Sequence, residues 1–145
     1  MIDQIENNDL GLTTAAKAFL KESAGWTKFI SIVGFVGIGI LILFALFAGT
    51  LLGGVMEASG MSFGGGAIFT VYLLVIAVLY FFPIYYLFQF SAKMKAALQT
   101  QSSELLEQAF SNLKSHYKFM GILLIIVLGL YAIMFIFGGL AAAMM

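Results

Sequence analysis

Apolar and polar positions alternate along this chain in long blocks. Three runs, Phe29–Leu52, Ala67–Phe90 and Phe119–Ala143, contain no Asp, Glu, Lys, Arg or His. Each exceeds the roughly 20 residues that a helix needs to cross a bilayer. The first run holds sixteen Leu, Ile, Val or Phe. At roughly −0.3 to −0.6 kcal/mol apiece, these favour insertion by about 5–10 kcal/mol before Gly, Ser and Thr subtract. The pattern predicts an all-α integral membrane protein, a single membrane domain over 1–145, with transmembrane helices at 29–52, 67–90 and 119–143.

Two of the polar blocks carry a helical period of their own. Within 10–28, at about 100° per residue, Lys17, Lys21 and Lys28 fall in one strip. Leu12, Ala16, Phe19, Leu20, Ser23 and Trp26 gather opposite them. Within 101–118 an apolar stripe of Leu105, Leu106, Ala109, Phe110, Leu113 and Tyr117 opposes Glu104, Glu107, Gln108, Ser111, Asn112, Lys114 and Lys118. Both segments read as amphipathic helices, capped by Thr13 or Thr14 and by Ser102 or Ser103. Residues 53–66, glycine-rich with Glu57 as the sole charge, read as a short loop. Whether the amphipathic helices run straight into their spans or bend at Gly25 and His116 is open at this stage.

Charge orients the chain. All seven lysines precede the first run or lie between the second and third, and the 53–66 loop has none. The positive-inside rule therefore predicts a cytoplasmic N-terminus, a cytoplasmic 91–118 connector and an outer C-terminus. The junctions Trp26-Thr27-Lys28-Phe29 and Tyr117-Lys118-Phe119 fit this orientation, because an interface selects an aromatic ring beside a snorkelling lysine. The N-terminal ten residues bear Asp3, Glu6 and Asp9 but no base. The first run is thus read as a retained helix, not a cleaved leader.

Composition narrows the chemistry. The chain is 62% hydrophobic and 10% charged, with no cysteine. Thiolate nucleophiles, disulfides and Cys metal sites are thereby excluded. Arginine is also absent, which argues against nucleic-acid partners. His116 is the single histidine, too few for a metal centre. Met56, Met61, Met144 and Met145 would gather outside but lack His or Cys companions. No nucleophile–base–acid set or phosphate-binding loop is present. The expectation is a non-enzyme without cofactor, catalytic or metal residues.

What remains are packing and interface features. Ala45, Gly49 and Gly53 recur every four residues, Gly121 and Gly129 are eight apart, and Gly34 adds a small surface. Such spacing lets helices approach closely in lipid, either within the chain or between subunits. Pro83, inside an aromatic segment, removes a backbone donor and predicts a kink. Lys17, Phe19, Lys21, Trp26, Phe110, Leu113 and Lys114 are the candidate interface and partner residues.

Three stretches in order resemble one family: Phe19–Phe35, Val78–Tyr86 with its Pro83, and Leu106–Phe119. The chain resembles, from about Leu10 to the last helix, the small membrane proteins of domain of unknown function 5362. The resemblance implies a bacterial inner membrane and brings no activity or site residues. The favoured expectation is an accessory or scaffold subunit of a membrane complex, whose partners are the lipid bilayer and another membrane protein or itself. A homo-oligomeric pore with Ala45, Gly49 and Gly53 at the helix contact, and a membrane-shaping protein, are the alternatives.

Overall fold

The computed structural model describes residues 11–60 and 64–143, with side chains as far as Leu140. Three long helices account for nearly all of them: α1 (Thr14–Ala58), α2 (Gly65–Thr100) and α3 (Ser103–Ala143). There is no strand among the described residues. All three are long and apolar enough to cross a membrane.

The helices outrun the apolar blocks at several ends. α1 has 45 residues, about 68 Å at 1.5 Å per residue, against a hydrocarbon core of about 30 Å. The amphipathic stretch 10–28 is therefore no separate element: α1 passes through Gly25 and Trp26 without a break and ends only at Ala58. α3 likewise joins the 103–118 stripe to the third span through His116. The second apolar run ends at Phe90, yet α2 continues to Thr100. Ser91–Thr100 is rich in Ala, Lys, Met, Leu and Gln, all good helix formers, so hydropathy falls while the helix persists. The 53–66 loop shrinks in the same way, since Gly53–Ala58 belongs to α1 and Gly65–Gly66 to α2.

The ends are locally specified. Thr13 caps α1, its hydroxyl oxygen accepting from the Ala16 amide at 3.1 Å. Ser102 does the same for Leu105 at 3.3 Å. Gln101, between α2 and α3, adopts a left-handed conformation (φ 52°). That geometry lets the Ser102 amide reach the Ala97 carbonyl at 3.2 Å and turns the chain within two residues.

α2 is the shared element: α1 and α3 each pack on it and not on each other. The core proper lies at the lysine-bearing end, where Ala24 from α1, Phe90 and Met94 from α2 and Ala109 from α3 are buried. Leu20, Leu98, Leu106 and Leu113 pack around them. Much of the apolar stripe on each amphipathic segment is thus covered by the protein's own α2. Beyond Phe119, by contrast, nearly every α3 side chain to Leu140 is exposed.

Candidate functional site

Two regions hold the residues singled out by the sequence. The first is a close α1–α2 crossing near the Gly-rich end. Ala45 and Gly49 are buried, and Gly66 of α2 sits directly against Gly49 and Gly53. A Cβ on Gly66 would collide with the Gly49 carbonyl oxygen and approach the Gly53 nitrogen and Cα to 2.6 and 2.7 Å. The Thr70 hydroxyl lies within reach of two carbonyls, Gly66 at 3.0 Å and Ala45 at 3.2 Å, and donates across the crossing to the latter. Further along, Gly34 accommodates the Ile84 side chain, with only 2.8 Å left to a hypothetical Cβ. Gly34, Ala45, Gly49 and Gly53 are therefore all placed at the α1–α2 contact inside one chain. Gly121 and Gly129 are not: no described residue lies within 4 Å of a Cβ at either.

Aromatic rings continue the contact toward the lysine-bearing end. Phe35 of α1 packs on Phe81 and Phe88 of α2, with centroids 5.7 and 6.0 Å apart. Phe82 reaches Phe119 of α3 at 6.0 Å. Pro83, buried inside α2, offers its carbonyl to His116 of α3, whose Nδ1 lies 2.9 Å away. A carbonyl can only accept, so Nδ1 carries the proton of this bond. The lone histidine thus ties two helices together.

The second region is the three-helix stalk at the lysine-bearing end. Ser91, fully buried, donates to the Ala24 carbonyl at 2.6 Å and joins α2 to α1 where both side chains are small. Phe110 meets Phe90 at a tilt, with ring centroids 6.5 Å apart, but remains 43% exposed. Leu113 packs against the core, whereas Lys17, Lys21 and Lys114 are exposed. Phe19 is 68% exposed and Trp26 62%, so the outer edge of the α1 stripe is left uncovered while its inner edge is spent on α2. A cleft of about 400 Å³ opens at the tip, lined by Lys17, Gln101, Ser102, Ser103 and neighbouring apolar residues. Among the described residues no group of His, Asp or Glu is placed to hold a metal ion. Of the methionines considered for soft-metal binding, Met61, Met144 and Met145 lie outside the described residues.

Gly66, Thr70, Ser91 and Met94 escaped the sequence reading. Gly66-Ala-Ile-Phe-Thr70 repeats the four-residue small spacing of Ala45, Gly49 and Gly53 and was a usable signal. Ser91 and Met94 gave none, because their partners are distant in sequence.

Fold and site together define an all-helical class of protein with three helices long and apolar enough to cross a membrane. The model of a family of unknown function, DUF5362, matches residues 54–139, and the chain belongs to that family. The match includes the Val78–Tyr86 and Leu106–Phe119 stretches and leaves Phe19–Phe35 outside. No curated protein matches the chain. No solved structure matches it either.

Proposed function

We propose that this chain is a non-enzymatic subunit of the bacterial inner membrane that works by assembly, as an accessory or scaffold component. Its lysine-bearing stalk projects into the cytoplasm, and the Gly-rich turn lies outside. The lysine distribution supports this orientation, and lysines near the surface each gain about 1 kcal/mol from anionic lipid.

One observation carries the scaffold reading. Phe19 is exposed on a helix whose inner face is already covered, ten residues before the apolar run begins at Phe29. That spacing puts it roughly 15 Å from the start of the span, beyond a headgroup layer of roughly 5–8 Å. Lipid does not reach so far along an upright helix, so another protein surface is the natural cover.

The test is gentle detergent extraction of the tagged chain from its membrane, followed by the mass of the intact complex. The reading predicts a stoichiometric assembly larger than the 15.7 kDa chain. A homogeneous, partner-free monomer overturns it.

A further inference from the structure

We infer that the exposed aromatic faces of the stalk join copies of this chain head to tail, the α1 face of one copy against the α3 face of the next. The inference rests on the assembly reading above and names both partner and contact. Phe19 and Trp26 are seven residues apart on α1, and Phe110 and Tyr117 are seven apart on α3; each pair shares one helix face. All four are exposed, from 43% at Phe110 to 68% at Phe19. Within one chain they do not meet, because α2 separates α1 from α3.

Between copies they match in depth. α1 and α3 run in the same direction, each from the lysine-bearing end toward the Gly-rich end. Phe19 lies ten residues before Phe29 and Phe110 nine before Phe119; Trp26 and Tyr117 lie three and two before the same landmarks. Copies held the same way up by one membrane therefore present both ring pairs at nearly equal heights.

Charge selects the same pairing. Glu22 and Lys114 are exposed and flank the two aromatic stripes. At 100° per residue, Glu22 lies about 60° before the Phe19 line and Lys114 about 40° after the Phe110 line. Two parallel helices that face each other through these stripes bring those flanks together, with Glu22 and Lys114 about 3 Å apart in height and the exposed Glu107 of the same α3 flank about 8 Å from Glu22. An α1–α1 contact would oppose Glu22 to no base on that flank. The contact is heterologous, so successive copies form a ring about the membrane normal if the rotation closes and an open row if it does not.

The chain contains no cysteine, so engineered pairs report without background. Two differently tagged full-length copies, one with Phe19→Cys and the other with Phe110→Cys, are co-expressed and oxidised in the membrane. A mixed-tag dimer several-fold above either like-with-like product is expected, and Trp26→Cys with Tyr117→Cys provides a second pair. Glu22→Lys on the first copy should lower the mixed product, and Lys114→Glu on the second should restore it. Links only between like residues, links only to a different protein, or none with both variants at normal membrane levels would overturn the inference. If links are absent while the extracted complex still exceeds one chain, assembly stands and the head-to-tail contact alone falls.

Discussion

Gly66→Ala adds one methyl group where α1 and α2 come closest. The new Cβ would meet the Gly49 carbonyl oxygen and stand 2.6 Å from the Gly53 nitrogen, whereas ordinary contact begins at 3.4 Å. All these neighbours are backbone, so no rotamer change relieves the clash and the helices must part by several tenths of an ångström at least. Parting lengthens the Thr70–Ala45 hydrogen bond from 3.2 Å, and interhelical bonds in membranes average about 0.6 kcal/mol. Overpacking itself costs about 1–3 kcal/mol. Less the up to about 1 kcal/mol that alanine gains over glycine in a helix, the substitution should destabilise the chain by about 1–3 kcal/mol. Gly121→Ala is the control, because its Cβ would meet no described residue within 4 Å; with no clash to offset alanine's advantage in a helix, it should be neutral or stabilise by up to about 1 kcal/mol. Denaturant titration in mixed micelles, followed by helical circular dichroism, measures both. Equal effects at the two positions would refute the assignment of Gly66 to the α1–α2 crossing.

Ser91→Ala removes the hydroxyl that donates to Ala24 and should cost about 0.5–1.5 kcal/mol in the same titration. Met94→Ala opens a cavity in the fully buried centre of the stalk; a loss of about 2–5 kcal/mol should appear as faster amide exchange in 103–113 than in the spans. His116→Ala cuts the link to the Pro83 carbonyl, so a Phe82→Cys/Phe119→Cys disulfide should form more slowly in that background. Phe19→Ser should leave the titration unchanged within about 0.5 kcal/mol, because the ring is mostly exposed, yet reduce the mass of the extracted complex.

The three spans were legible because a bilayer demands uninterrupted apolar length, and the runs at 29–52, 67–90 and 119–143 meet that demand without a charge. Helix ends were less so. Hydropathy marks where lipid stops, not where the helix stops, and Ser91–Thr100 crosses that limit as helix. The Ala45, Gly49 and Gly53 series announced close packing but not its partner; Gly66 and Thr70 supply it within the chain. Gly121 and Gly129 carry a similar spacing and find no neighbour among the described residues, so small-residue spacing gives capacity for contact, not contact itself. The amphipathic stripes were read as outward-facing surfaces. Folding against an unforeseen extension of α2 claims Leu20, Ala24, Leu106, Ala109 and Leu113 and leaves Phe19 and Phe110 at the edge. Ser91 to Ala24 spans 67 positions and His116 to Pro83 spans 33; such pairs follow only from the three-dimensional arrangement.

The central claim, a three-span protein whose lysine-bearing stalk lies in the cytoplasm, is tested most directly by single-cysteine labelling in intact cells. Ser59→Cys at the Gly-rich turn and Ser103→Cys at the stalk tip are treated with a membrane-impermeant maleimide, with the outer envelope made permeable. The account predicts labelling of Ser59→Cys in intact spheroplasts and of Ser103→Cys only after lysis. The reverse pattern contradicts the orientation, and labelling of both sites before lysis contradicts the spans.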